Sequence, residues 1–230
     1  MDPELIIALD VPQSDQIIPI LDALPPEISW YKVGLELFAA EGPRALEPLR
    51  ERGKNVFLDL KLHDIPRTVA HAVSSAATCG AQLLTIHACG GRAMMAAAAE
   101  AASASNIKLV AVTTLTSLSQ DDFNDLGIER SVADQALALG DLAIAAGVHG
   151  LVTSVHEAAA LRERLGPAPL LVTPGIRPSG GDVGDQKRVA TPAAAVAAGS
   201  SYLVVGRPIL EAKNPAAAAS AILEEMRGAR

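Results

Sequence analysis

Asp59, Lys61 and Asp64 lie within five residues of one another in Val56-Phe57-Leu58-Asp59-Leu60-Lys61-Leu62-His63-Asp64-Ile65-Pro66. The stretch begins as a strand. At a period of two, Val56, Leu58, Leu60 and Leu62 form one face, and Phe57, Asp59 and Lys61 form the other. Asp59 and Lys61 therefore project to the same side. Two carboxylates around one ammonium can set protonation states and stabilise developing charge. A plainer reading stands beside this one. Asp59 and Lys61 could be a solvated pair at a strand end. Asp64 could serve as a helix N-cap ahead of Pro66.

Which reading holds depends on the elements that would carry these residues. Short apolar runs are expected as strands at 5–9, 30–33, 55–62, 82–87, 109–114, 150–153, 170–173 and 202–205. Helices are expected between them: 14–24 capped by Ser14, 36–52 broken at Gly42-Pro43, 65–79, 92–103, 132–146, 156–165, 192–198 and 215–226. Mostly apolar strands alternating with helices imply parallel pairing with right-handed crossovers. Eight such units in 230 residues predict an α/β fold, a (β/α)₈ TIM barrel, as a single domain over 1–230. An open doubly wound sheet is the alternative, but no Gly-x-Gly-x-x-Gly turn follows the first strand.

Composition narrows the class of function. Net charge is −7, which argues against broad binding of nucleic acid or anionic membranes while leaving room for a local basic pocket. Cys79 and Cys89 have no metal-type spacing, and two thiols make no disulfide framework. They read as two small buried residues in a reducing cytosol. The N-terminus reads as no signal peptide, and the uncharged stretch 189–206 is interrupted by Pro192, Gly199 and two serines, so no membrane span is expected.

A parallel barrel gathers chemistry at the C-terminal strand ends. Those ends would bring together Asp10, Lys32, Asp59, Lys61, His87, Thr114, Thr116 and Arg207. Lys32 shares its face with Trp30 and Gly34, so it can point inward near Asp59. Alternating Lys32, Asp59, Lys61 and Asp64 charges would neutralise one another. Loops after strands seven and eight often hold phosphate. Here they read Pro174-Gly175-Ile176-Arg177 and Gly206-Arg207-Pro208-Ile209. Gly206 allows close backbone approach, and the two guanidinium groups suit a phosphate. The glycine-rich stretch 177–186 reads as a lid that could bring Gln186 to a ligand, or as a simple connector. His87 is expected to pack or to support neighbours rather than react. His63, His71, His149 and His156 show no ligand spacing.

These motifs carry a resemblance that spans essentially the whole chain. Leu9-Asp10-Val11-Pro12, Lys32-Val33-Gly34, Asp59-Leu60-Lys61-Leu62-His63-Asp64-Ile65-Pro66, Leu115-Thr116-Ser117, Thr173-Pro174-Gly175-Ile176-Arg177 and Val205-Gly206-Arg207-Pro208-Ile209 resemble the orotidine 5′-phosphate decarboxylase family in its short bacterial form. The Asp-x-Lys-x-x-Asp core alone is shared with related sugar-phosphate barrels. Lys32 and the glycine-rich loop narrow it.

The resemblance implies a cytoplasmic enzyme that converts orotidine 5′-phosphate to uridine 5′-phosphate in pyrimidine synthesis, without metal or organic cofactor. It implies that Lys61 protonates C6 and that Asp59 lies beside the departing carboxylate. Lys32 would hold Asp59 and a ribose hydroxyl, and Asp10 the ribose. It further implies a homodimer with shared sites, in which Asp64, Ile65 and Thr68 serve the partner. Thr116 and Gln186 would meet the base or lid, while Pro174, Arg177, Gly206 and Arg207 line the phosphate end.

Two other functions compete. A metal-dependent sugar-phosphate relative would have a glutamate at Lys32; a lysine there opposes a cation. A silent phosphate-binding barrel would not need the Asp59–Lys61–Asp64 set.

Overall fold

Eight short strands run parallel: β1 Glu4–Leu9, β2 Trp30–Gly34, β3 Asn55–Leu62, β4 Leu83–His87, β5 Lys108–Val112, β6 Gly150–Val152, β7 Leu170–Thr173 and β8 Tyr202–Val205. In sequence order they pair into a closed barrel, with β8 returning to β1. The computed structural model describes residues 2–178 and 189–229. The expected α/β barrel is therefore the observed fold.

Alternation of side chains splits the core in two. Outward residues such as Ile7, Leu9, Val33, Leu58, Leu84 and Leu203 pack beneath the surrounding helices. Inward residues fill the barrel: Ile6, Ala8, Trp30, Phe57, Leu83, Val110, Leu170, Val172, Tyr202 and Val204. Trp30 and Tyr202 meet edge to face, 5.2 Å between centroids. Each fully buried large side chain contributes roughly 1.5–3 kcal/mol. Gly150 lets β6 and β7 approach, because a Cβ there would lie 2.2 Å from the Leu170 carbonyl oxygen. At the C-terminal strand ends this apolar plug meets the charges Asp10, Lys32, Asp59 and Lys61.

Several local expectations need correction. The two cysteines are not buried: Cys79 is partly exposed and Cys89 is exposed. Ser14 does not cap an α-helix; it opens a 3₁₀ turn, Ser14–Gln16, followed by the helix Ile17–Ala23. Its N–H donates to Glu41 Oε1 at 2.7 Å, and its hydroxyl donates to the same carboxylate, so it fastens two connections together. Asp64 is not an N-cap either. Ile65 takes that position without a side-chain bond, and Pro66 opens the helix Pro66–Thr78. The interruption at Gly42-Pro43 is a 3₁₀ segment, Gly42–Leu46.

Two short helices lie in stretches expected as loops. Gln120–Asp125 begins at a reciprocal cap between Ser119 and Asp122. Arg207–Leu210 follows β8 directly.

Candidate active site

The end of β3 departs from a simple strand, and that departure builds the site. Leu58 pairs with Leu84, yet Leu62 pairs with Ile86, so four steps on β3 face two on β4. Two extra residues must bulge. Lys61 absorbs the distortion at φ +50°. The left-handed region costs a residue with a Cβ about 1–2 kcal/mol, a strain that persists only when neighbours hold it. Period-two counting correctly put Asp59 and Lys61 on one side; it did not foresee that a bulge aims the lysine.

The resulting contacts are close. Lys61 Nζ donates to Asp59 Oδ2 at 2.8 Å. Lys32 Nζ stands 3.9 Å from the same oxygen and donates to Asp10 Oδ1 at 2.9 Å. Thus β1, β2 and β3 each contribute to one run, Asp10–Lys32–Asp59–Lys61. Side-chain exposure is 11% for Lys32, 13% for Asp59 and 28% for Lys61, against 54% for Asp10. Lys32 and Asp59 are therefore shielded, and each attraction is screened less than in bulk water. Gly34 leaves room for the Lys32 ammonium, since a Cβ there would sit 3.0 Å from Nζ.

Thr85 on β4 is a residue that sequence reasoning missed. Fully buried, it accepts a hydrogen bond from the Lys61 N–H at 2.8 Å and donates to Asp59 Oδ1 at 2.9 Å. A signal was present: Leu83, Thr85 and His87 share the inward face of an otherwise apolar strand.

These charges open on a cavity of about 300 Å³, large enough for a small ligand. Phe57, Val112, Val152, Val172 and Val204 contribute apolar wall. Asp10, Lys32, Asp59, Lys61, Thr116, Pro174, Arg177, Gly206 and Arg207 line it as well, so most of the expected site residues do converge. Thr114, Leu115 and Ser117 join them beyond β5. Arg177 Nη1 also donates to the Ile176 carbonyl at 2.9 Å, which orients part of its guanidinium.

Asp64, Ile65 and Thr68 are not brought into this cavity. All three are exposed, Ile65 to 66%, and Asp64 Oδ1 accepts the Ile65 N–H at 2.6 Å. The alternating array within one chain therefore ends at Lys61. Gln186 and most of the 177–186 stretch lie outside the described residues. His87 is half-buried with its ring 5.7 Å from that of His63. Burial holds it below the ordinary histidine range, helped by repulsion from His63 and Lys61 and opposed by Asp59. It does not line the cavity.

Among the described residues, no group of three or more His, Cys, Asp or Glu side chains could hold a metal ion. None of their helices is long and apolar enough to cross a membrane.

Fold and site together define a (β/α)₈ barrel with a charged cluster on one side of its mouth and two arginines on the other. Residues 3–222 match the orotidine 5′-phosphate decarboxylase / HUMPS family. Two relatives named orotidine 5′-phosphate decarboxylase are similar throughout. The Anaeromyxobacter sp. (strain K) protein is 51% identical over 94% of each chain. The Halorhodospira halophila protein is 48% identical over 99% of this chain and 97% of its own. The crystal structure of orotidine 5′-phosphate decarboxylase from Lactobacillus acidophilus superposes with a TM-score of 0.87 at 39% identity, covering 98% of this chain and 99% of its own. The chain belongs to the orotidine 5′-phosphate decarboxylase / HUMPS family. It is an enzyme, of the carboxy-lyase kind its relatives are named for.

Proposed function

We propose that this enzyme removes carbon dioxide from orotidine 5′-phosphate to give uridine 5′-phosphate in pyrimidine synthesis, using no metal or organic cofactor. The observation that carries the reading is the Lys32–Asp59–Lys61 run, held against an apolar wall in the cavity that Arg177 and Arg207 also line.

In this reading the C6–carboxylate bond breaks and carbon dioxide leaves. The electron pair stays on C6, an sp² carbon with little delocalisation into the ring. Lys61 Nζ stabilises that pair more than it stabilises the starting nucleotide, which raises rate rather than mere affinity. It then gives C6 its proton and is reprotonated from solvent, so no oxidant or reductant is needed. Asp59 keeps the ammonium in place and faces the departing carboxylate. Lys32 and Asp10 meet the ribose, and Thr116 meets the base. Pro174, Gly206, Arg177 and Arg207 hold the phosphate. Phosphate contacts far from C6 would then contribute to assembling the site.

The exposure of Asp64, Ile65 and Thr68 supports a homodimer in which these residues complete the partner's cavity. Mixing Asp59→Ala and Asp64→Ala proteins should then recover activity, because one site per mixed dimer would carry neither lesion. No recovery despite demonstrated subunit exchange sinks the shared site.

A metal-dependent reaction on a sugar phosphate is disfavoured by the Lys32 ammonium, which stands 3.9 Å from Asp59, on the carboxylate a cation would need. The deciding assay follows the ultraviolet absorbance of orotidine 5′-phosphate with EDTA present, for wild type and Lys61→Ala. Rapid loss with wild type alone is expected. No loss with folded wild type rejects the decarboxylase reading, and Mg²⁺-dependent turnover of a sugar phosphate would favour the relative.

A further inference from the structure

Thr85 lies outside the cavity lining, yet its hydroxyl bonds both the Asp59 carboxylate and the Lys61 N–H of the charged cluster's β3 segment. We propose that Thr85 is a positioning residue for the reaction: its hydroxyl holds the β3 bulge in shape and thereby sets where the Lys61 ammonium stands. The inference rests on the decarboxylase reading above and goes beyond it, because nothing in that reading requires a β4 side chain.

The geometry forms a closed ring. Lys61 Nζ bonds Asp59 Oδ2, Asp59 Oδ1 accepts from the Thr85 hydroxyl, and Thr85 Oγ1 accepts from the Lys61 N–H. Both oxygens of Asp59 are thus engaged, so the carboxylate cannot turn about its terminal bond without losing a partner. Both ends of Lys61, backbone and ammonium, are tied to the same pair of residues. A hydroxyl can do this because it offers one proton and two lone pairs.

The strain makes the tie necessary. Lys61 sits at φ +50°, where the two surplus residues of β3 have no ladder partner on β4. Thr85 stands on β4 between Leu84 and Ile86, the residues that pair on either side of that gap. It supplies the hydrogen bond that the bulged Lys61 N–H would otherwise lack. Being 0% exposed, it has no water to replace it. Removing the hydroxyl frees the bulge to relax and the ammonium to drift. A misplacement near 1 Å can cost on the order of 100-fold in rate.

The test compares Thr85→Val, Thr85→Ser and Thr85→Cys with wild type. Steady-state decarboxylation is measured, with functional sites counted by uridine 5′-phosphate binding. Thr85→Val should lower kcat per binding-competent site about 10- to 100-fold, with uridine 5′-phosphate affinity within about threefold of wild type. Thr85→Ser, which keeps the hydroxyl, should restore kcat to within about threefold.

A purely structural role would reduce the number of competent sites and the melting temperature but leave kcat per site unchanged, and that outcome overturns the proposal. So does a serine variant as slow as the valine one. If Thr85→Val does not fold, serine against cysteine decides, since the somewhat larger thiol is a much weaker donor and acceptor than the hydroxyl; equal kcat values overturn the proposal. Failure of wild type to turn over would reject the decarboxylase reading itself.

Discussion

The early and late strands meet at one mouth but are built on different terms. On β1–β3, side chains are locked to one another: Asp10, Lys32, Asp59 and Lys61 form a continuous run, with Thr85 on β4 bonded to Asp59. Lys32 and Asp59 are nearly buried, and Lys61 is strained. On β7–β8, Arg177 and Arg207 extend from loop and helix starts, each only partly buried. The difference matches the two tasks we propose for them. A group that stabilises charge at one atom must be preorganised to a fraction of an ångström. A group that holds a phosphate by a planar, multivalent fork tolerates more slack.

That contrast can be broken from either side. Lys61→Ala should have the largest effect, lowering kcat by more than about 10⁴-fold, since proton donation and electrostatic stabilisation vanish together. Uridine 5′-phosphate should still bind measurably by calorimetry; loss of binding would mean that the two regions are not separable. Arg207→Ala should act from the other end. Its kcat/KM should fall about 10- to 100-fold, as expected for lost charge-assisted hydrogen bonds. Added inorganic phosphate or phosphite with a phosphate-free nucleoside would show whether the fault lies at that end alone.

Gly34→Ala sharpens the comparison with a smaller change. Its Cβ would press on Lys32 Nζ at 3.0 Å, a flexible end that can yield. We expect a loss of about tenfold or less in kcat, visible in turnover assays, with phosphate affinity unaffected.

The smallest effect concerns pH. His87 is held below the ordinary histidine value of 6.5, mainly by burial. The unfolded chain therefore binds a proton in acid that the folded chain resists. Stability from this source is complete above about pH 6.5 and is lost as pH falls through the depressed folded value. His87→Asn should make the acid-side decline shallower in urea unfolding series between neutral and mildly acidic pH.

Strand positions were read well from hydrophobic runs. Asn55–Leu62, Leu170–Thr173 and Tyr202–Val205 match their expected bounds. Lys32 pointing inward also followed from counting, because β2 is regular and Trp30, Lys32 and Gly34 must share a face. Ser14 was misjudged as a cap, and the plainer reading of Asp64 as a cap also fails. Each has the right residue type at the right distance from a helix, but each found a better local partner: Glu41 for Ser14, and the Ile65 N–H for Asp64. Capping preference is a contest among nearby donors and acceptors, which one-dimensional spacing cannot arbitrate.

What this sequence determined by itself is the order of elements, the closed alternation of strand and helix, and which side chains stand at the strand ends. Those follow from periodicity, turn residues and the area each face must bury. Only the tertiary structure decided how the ends engage. The β3 bulge exists because β4 pairs on both sides of it. Lys61 can occupy φ +50° where Thr85, 24 positions later, accepts its N–H. Asp59 lies close to two ammonium groups because β2 pairs beside β3 and the bulged β3 turns Lys61 back onto it. Such couplings join residues distant in the chain through hydrogen bonds whose strength depends on burial, and burial is a property of the assembled barrel.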